Sequence, residues 1–193
     1  MFNKKNLIAY YFIDQINERT ISTISKFKNI SLIYLNQNDS SLNLQDLINI
    51  KKFCNKNRIK FYISDNIRLA IKVGANGIYL TKNYIKMSHN FTNKKGFAIL
   101  GSVHNQLEYY KKITQRCEKI FLSPIFYNKK YSINKTLGII KFKLISKDWK
   151  NRAIPLSGIN QDNIKKVYLV NKKELGFRSW QKKTHLTIKL SGF

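Results

Sequence analysis

The chain has 193 residues, 43% of them hydrophobic, a composition that excludes a disordered polypeptide and predicts one globular domain over residues 1–193. No apolar run approaches the roughly 18 residues that a membrane-spanning helix needs, so we expect a cytoplasmic protein that does not contact membranes. The formal net charge is +26, but 30 of the 36 basic residues are Lys, and they are dispersed in pairs such as Lys51-Lys52 and Lys111-Lys112. We interpret these pairs as solvated. Because the recognition of bases favours Arg, we expect no nucleic-acid partner.

Eight apolar, β-rich runs predict strands, and segments of helical periodicity lie between them. In chain order the strands are predicted at residues 7–13, 30–35, 59–63, 77–80, 97–101, 119–122, 153–156 and 174–177. The helices are predicted at residues 14–28, 42–57, 66–73, 105–116, 137–146 and 161–170, with one further weak helix after residue 80. This alternation specifies a parallel sheet and predicts an α/β fold, a compact (β/α)8 TIM barrel, with an open doubly wound sheet as the alternative.

In a (β/α)8 barrel, the residues at the carboxyl ends of the strands carry the chemistry. The polar residues that follow the predicted strands are therefore the candidate site residues. In chain order they are Asn36, Asn38, Ser64, Asp65, Thr81, Lys82, Ser102, His104, Ser123, Ser157, Gly158 and Asn160. The two cysteines, Cys54 and Cys117, lack the spacing of a metal site and are predicted to be buried thiols.

Three of these positions allow more than one interpretation. Asp65 either binds Mg²⁺ or a substrate amine, or it caps the helix that follows. Ser102 and His104 either present a hydroxyl and an imidazole to a ligand, or Ser102 caps the next helix. The turn at residues 157–160 either offers backbone N–H groups to a phosphate or is an ordinary tight turn.

Four segments of the chain occur in the order and with the spacing of one family's motifs. They are residues 62–80, which contain Ser64-Asp65 and Gly74-Ala75-Asn76-Gly77, residues 101–104 (Gly-Ser-Val-His), residues 122–126 (Leu-Ser-Pro-Ile-Phe) and residues 156–160 (Leu-Ser-Gly-Ile-Asn). From about residue 7 to 178 the chain thereby resembles the thiamine phosphate synthase/TenI family of (β/α)8 barrels. The family's motifs read Asn-Asp with Gly-Ala-Asp-Gly, Gly with Ser-x-His, Gly/Ser-Pro-Val-Phe, and Ile-Gly-Gly-Ile.

The resemblance implies a reaction and a set of site residues. The synthase joins an aminopyrimidine pyrophosphate to a thiazole phosphate and releases pyrophosphate with the help of Mg²⁺. Asp65 corresponds to the family's Mg²⁺-binding aspartate and Ser102 to a serine near the pyrophosphate. Gly158 corresponds to a glycine whose backbone contacts the thiazole phosphate. The implied partner is thus a small phosphorylated heterocycle.

The chain departs from the family at several catalytic positions. The family's Gln-x-Arg-x-Lys motif reads Tyr-Leu-Asn-Gln-Asn at residues 34–38, so Asn36 and Asn38 replace both cations. The second metal-binding aspartate falls near Tyr84, and Pro124 stands where a TenI-type tautomerase has its catalytic His. Charge compensation of the departing pyrophosphate is a large part of the catalysis, so these replacements bear directly on activity.

Two hypotheses follow from this mixture of matches and departures. In the first, the chain is an enzyme of thiamine biosynthesis or salvage, and Lys82, Lys129 and Lys130 replace the lost phosphate contacts. In the second, it is a non-catalytic barrel that binds a phosphorylated ligand and has lost the transfer reaction. The loss of two cations favours the second hypothesis, and the retention of Asp65 and Ser102 favours the first.

Overall fold

The computed structural model describes residues 7–14, 17–25, 28–35, 43–86, 96–128, 135–159 and 163–178. In these residues strands and helices alternate. The strands are β1 (Ile8–Ile13), β2 (Ile30–Tyr34), β3 (Lys60–Ser64), β4 (Gly77–Leu80), β5 (Ala98–Val103), β6 (Lys119–Leu122), β7 (Ala153–Pro155) and β8 (Glu174–Arg178). The helices are α1 (Glu18–Ser25), α2 (Leu44–Lys56), α3 (Ile67–Val73), α4 (Gln106–Thr114), α5 (Gly138–Ser146) and α6 (Ile164–Val167).

The strands form one parallel sheet that curves into a barrel. Their order is β7-β6-β5-β4-β3-β2-β1-β8, so β8 lies beside β1. Leu156, directly after β7, forms a parallel bridge with Gly176 of β8 and brings the two ends of this order together. The barrel is therefore nearly closed, which confirms the predicted (β/α)8 fold. The open doubly wound sheet is wrong, because such a sheet has two free edges.

Asparagine side chains begin four of the described helices: Asn17 caps α1, and three further caps follow the same pattern. The side chains of Asn43, Asn66 and Asn105 each accept the backbone N–H three residues further on, at 2.9, 3.0 and 2.9 Å respectively. These caps fix the points at which α2, α3 and α4 begin, within two residues of the predicted positions. The weak helix predicted after residue 80 is absent from residues 81–86, which form a turn and extended chain, and residues 87–95 lie outside the described part.

The barrel interior is filled by aromatic and aliphatic side chains. Phe121 makes edge-to-face contacts with Tyr10, Phe12 and Tyr79, with ring centroids 5.1, 5.2 and 5.8 Å apart. These four rings belong to a buried inner cluster, separate from the outer cluster between the strands and the helices. A packed interior leaves the ends of the strands as the place for a ligand.

Candidate functional site at the carboxyl ends of the strands

Asp65 joins the ends of two neighbouring strands. It directly follows β3 with a φ of 53°, and its N–H donates to the carbonyl oxygen of Tyr79 at 3.0 Å. Its carboxylate Oδ1 accepts the N–H of Thr81, the first residue after β4, at 2.8 Å. The interpretation of Asp65 as a helix cap is wrong, because Asn66 caps α3. The carboxylate is instead held at the end of β4, where strand and loop meet.

Two serines lie at the last inward-facing positions of β3 and β5, and a third directly follows β6 in the same alternation. Side chains alternate between the two faces of a strand, and Tyr62, Leu100 and Phe121 belong to the inner cluster. The residues two positions further on therefore also face inward: they are Ser64, Ser102 and Ser123, here called the inner serines, and all three are buried. Their hydroxyl groups lie above the hydrophobic filling of the barrel. The interpretation of Ser102 as a helix cap is wrong, because Asn105 caps α4.

His104 links β5 to the segment after β6. Its ring Nδ1 lies 2.5 Å from the carbonyl oxygen of Ser123, and since a carbonyl only accepts, Nδ1 carries the proton. In the neutral ring Nε2 is then a hydrogen-bond acceptor. The backbone N–H of His104 donates to Oε2 of Glu108 at 2.7 Å. The first turn of α4 therefore fixes the position of this imidazole.

The turn after β7 has an unusual backbone. Ser157 and Gly158 are both left-handed, with φ of 79° and 72°. A Cβ at position 158 would collide with the carbonyl group of Phe126, so only glycine fits there. The N–H of Phe126 donates to the carbonyl oxygen of Ser157 at 3.2 Å, and the side-chain amide of Asn128 donates to the Ser157 hydroxyl. The turn thus packs against the loop that follows β6, and these contacts make it rigid enough to bind a ligand. Its role in phosphate binding stays a prediction.

The remaining candidates are placed differently or lie outside the described residues. Lys82 is exposed in the turn after β4. Tyr34, the first residue of the altered Gln-x-Arg-x-Lys segment, is fully buried in the outer cluster. Five further candidates lie outside the described part of the chain: Asn36, Asn38, Lys129, Lys130 and Asn160.

One buried cation beside the site was missed by the sequence analysis. Lys112 of α4 is 1% exposed, and its Nζ donates to the carbonyl oxygens of Thr81 at 2.7 Å and Tyr84 at 3.1 Å, and to the side-chain oxygen of Gln115 at 2.9 Å. Burial lowers the pKa of Lys112, and the nearby Cys117, Asp65 and Glu108 oppose that shift. The prediction that the lysine pairs are solvated is therefore wrong for Lys112, and it is also wrong for Lys51, which is buried. The sequence around Lys112 does not indicate that this lysine is buried, because pairs of lysines are common in this chain.

Mg²⁺ is the cofactor that the family resemblance implies. The described residues contain no group of three or more His, Cys, Asp and Glu side chains that would hold a metal ion. Burial and then the nearby Asp65 raise the pKa of Tyr84, which places a neutral phenol near Asp65 where the family has a second aspartate. Mg²⁺ sites for phosphates use one or two carboxylates and complete the shell with ligand oxygens and water. Asp65 therefore fits Mg²⁺ that is shared with a phosphorylated ligand.

The fold and the strand ends define a parallel (β/α)8 barrel with a polar site above a packed interior. The family model described as thiamine monophosphate synthase matches residues 14–175, and the chain belongs to that family. The predicted resemblance is thereby confirmed. In the described residues, no helix has the length and hydrophobicity to cross a membrane.

Known proteins similar to the chain agree with this assignment. A thiamine-phosphate synthase of Pelagibacter ubique is 28% identical over 182 residues, which are 86% of each chain. One of Prochlorococcus marinus (strain AS9601) is 29% identical over 140 residues, or 66% of this chain but only 39% of the relative. The solved thiamine phosphate pyrophosphorylase of Pyrococcus furiosus has a TM-score of 0.66 at 14% identity, covering 91% of this chain and 86% of that one. At that identity the likeness shows the fold alone.

Proposed function

We propose that the chain acts in thiamine biosynthesis or salvage and joins an aminopyrimidine pyrophosphate to a thiazole phosphate, with release of pyrophosphate. Family membership supports the reaction class. The observation that carries the proposal is the placement of Asp65, whose carboxylate is fixed by Thr81 at the same ends of the strands as the inner serines. A carboxylate and hydroxyl donors at the same ends of the strands suit Mg²⁺ and pyrophosphate together.

Each group of residues has a separate task in this reaction. The inner serines donate hydrogen bonds to the pyrophosphate or the pyrimidine, and Asp65 holds Mg²⁺, which neutralises charge on the leaving pyrophosphate when it is bound. His104 presents its imidazole to the ligand at the end of β5. The left-handed turn at Ser157 directs backbone N–H groups at the thiazole phosphate.

Three lysines and Asn160 complete the proposed ligand site. Lys82, which is exposed after β4, supplies positive charge to the phosphates of the ligand, as do Lys129 and Lys130. These three lysines replace the Arg and Lys of the family's Gln-x-Arg-x-Lys motif, which are Asn36 and Asn38 in this chain. Asn160 supplies an amide donor to the same ligand.

A non-catalytic ligand-binding barrel is the second candidate function. It is favoured by Tyr84, which places a phenol near Asp65 in place of a second metal-binding carboxylate. A site with one carboxylate and without the Arg/Lys pair still binds a phosphate, but it stabilises a leaving pyrophosphate less. Both candidate functions require the binding of a phosphorylated ligand, but only the first requires the formation of thiamine phosphate.

An assay of thiamine phosphate formation tests the first candidate. Purified protein with both precursors and Mg²⁺ should form thiamine phosphate, and Asp65→Asn, which keeps the shape and removes the charge, should lower the rate at least ~100-fold. Asp148→Asn is the matched control, because Asp148 is exposed after α5 and outside the site. Absence of product in the wild type, or an active Asp65→Asn, would contradict the synthase proposal.

Calorimetric titration with thiazole phosphate tests the binding that both candidates require. Ser157→Asp places a negative charge in the phosphate turn, and Asp tolerates the left-handed backbone found there. It should weaken binding at least ~10-fold by charge repulsion. Asn151→Asp is the control, since Asn151 is also left-handed and is exposed before β7, at the other end of the strand. Binding without turnover would support the second candidate, and absence of binding would reject both.

A further inference from the structure

Lys112 lies behind the candidate site, on the helix side of the barrel, and is almost completely buried. Its ammonium group donates to three oxygens, two of them backbone carbonyls of the loop after β4. Gln115, one turn further along, donates to the carbonyls of Tyr84 at 2.9 Å and Lys86 at 3.0 Å. Together Lys112 of α4 and Gln115, which directly follows α4, hold the loop from Thr81 to Lys86 against the helix.

Thr81 is held from both sides by charged groups. Its carbonyl oxygen accepts from Nζ of Lys112 at 2.7 Å, and its N–H donates to Oδ1 of Asp65 at 2.8 Å. Thr81 therefore stands between a buried cation and the carboxylate that faces the ligand. Hydrogen bonds to ions are about twice as strong as neutral ones, so a shift of the ammonium group is transmitted to Asp65 through one residue.

We propose that Lys112 is a positioning residue, which fixes Thr81 and thereby orients the Asp65 carboxylate toward the ligand. The proposal rests on the proposed function, because it assigns Asp65 the role of binding Mg²⁺ with a phosphorylated ligand. Lys112 itself does not reach the ligand. Residues that hold a metal ligand in place without touching the metal act in the same way, and the removal of such a residue lowers metal affinity or activity about 10- to 100-fold.

The alternative is that Lys112 contributes only to stability. Packing alone does not require a cation there, because an apolar side chain of similar length avoids the cost of burying charge. A second buried lysine allows the two roles to be separated. Lys51 of α2 is also buried, and its Nζ donates to the side chain of Asn76 at 2.6 Å. Asn76 directly precedes β4, at the end opposite to Asp65.

Hydrogen exchange of the Thr81 amide tests the positioning without any ligand. Lys112→Met removes the ammonium group and should accelerate this exchange about tenfold, which corresponds to the loss of one hydrogen bond. Lys51→Met, the matched control, should leave it unchanged, although it also removes a buried cation. Unchanged exchange in Lys112→Met, or equal acceleration in both variants, would overturn the proposal.

Two further variants keep this test decisive. Lys112→Arg retains the charge and the donors and should keep the slow exchange of the wild type. If Lys112→Met does not fold, Gln115→Met replaces it, because it removes an acceptor of Lys112 and two contacts to the loop. It should accelerate Thr81 exchange by a smaller factor, and no acceleration would overturn the proposal.

The binding of pyrophosphate with Mg²⁺ links the positioning to the site. Lys112→Met should weaken this binding about 10- to 100-fold and Lys51→Met should not. A wild-type protein that forms no thiamine phosphate would refute the synthase proposal, while Thr81 exchange still decides the role of Lys112. Accelerated exchange with unaltered binding of pyrophosphate and Mg²⁺ would refute the positioning and leave the synthase proposal standing.

Discussion

At the residue scale, Ser157 adopts a backbone conformation that normally belongs to glycine. Its φ is 79°, and the next residue, Gly158, is left-handed as well. The family resemblance places a glycine at both positions, so the turn keeps its shape although one glycine is replaced. The hydrogen bond from Asn128 to the Ser157 hydroxyl offsets part of the strain. The strain is a cost that the serine carries and a glycine would not.

Two variants of Ser157 separate the strain from the hydrogen bond. Ser157→Ala removes the hydroxyl and keeps the strain, whereas Ser157→Gly removes both. We expect the glycine variant to have a free energy of unfolding about 1 kcal/mol higher than the alanine variant, because a non-glycine residue costs about 1–2 kcal/mol in this region. Urea denaturation of the two proteins measures the difference. Equal stabilities would show that the turn does not hold residue 157 in the left-handed region.

At the element scale, β8 is attached unequally to its two neighbours. It pairs with β1 from Ile8 to Phe12, but within the described residues its backbone pairing on the β7 side is limited to the Leu156–Gly176 bridge. A polar network crosses this seam inside the barrel. The buried carboxylate of Glu174 accepts from Nζ of Lys119 on β6 at 2.7 Å and from the hydroxyl of Tyr10 on β1 at 3.1 Å. One side chain of β8 thus connects β6 with β1.

Removal of the Tyr10 hydroxyl tests the contribution of this network. Tyr10→Phe keeps the ring contact with Phe121 but leaves one oxygen of the buried Glu174 without a donor. We expect the free energy of unfolding to fall by about 1–3 kcal/mol, the cost of an unsatisfied buried acceptor. Tyr11→Phe on the opposite face of β1 is the control, because the ring of Tyr11 stacks on Phe177 and takes no part in the network around Glu174. Equal effects in chemical denaturation would show that the network does not stabilise the seam.

The elements and the site differ in how far their sequence predicts them. Residues 77–80 and 119–122 are short apolar runs between polar segments, and the strands found there have the predicted bounds, because burial on both faces leaves a continuous signal. The capping interpretations that the sequence left open at Asp65 and Ser102 lie one and three residues before the caps found, Asn66 and Asn105. Asx residues compete for the same N–H groups, and only the backbone path decides between them. Lys112 was unpredictable for a similar reason, since its three partners lie 3 to 31 residues away and are mostly carbonyl groups.

At the scale of the whole molecule, the core contains acidic groups that must stay protonated in the folded state. Burial, as the largest cause, raises the pKa of Cys54, Cys117 and Tyr62, each to about 12. Both thiols are fully buried and free, as predicted from their spacing. Cys54 and Cys117 belong to the outer cluster and Tyr62 to the inner one, so their ionisation requires the opening of either core.

These groups predict a loss of stability at alkaline pH. Unfolded thiols ionise near pH 9, whereas the folded thiols stay protonated up to about pH 12, so the unfolded state is favoured as the pH rises between these values. From pH 9 to 11 each thiol should lower the free energy of unfolding by about 2 kcal/mol. Burial lowers the pKa of Lys51 and Lys112, so their unfolded forms hold more protons up to about pH 10.5 and oppose the loss.

The double variant Cys54→Ala/Cys117→Ala isolates the thiol contribution, because it keeps both lysines. Its stability at pH 9 should be lower than that of the wild type, since two small cavities replace the thiols. Its further loss between pH 9 and 11 should nevertheless be smaller, because only phenols such as Tyr62 then remain to drive it. Urea denaturation at several pH values measures both slopes. Parallel slopes would contradict the raised pKa values of the thiols and would mean that water reaches both sulfur atoms in the folded state.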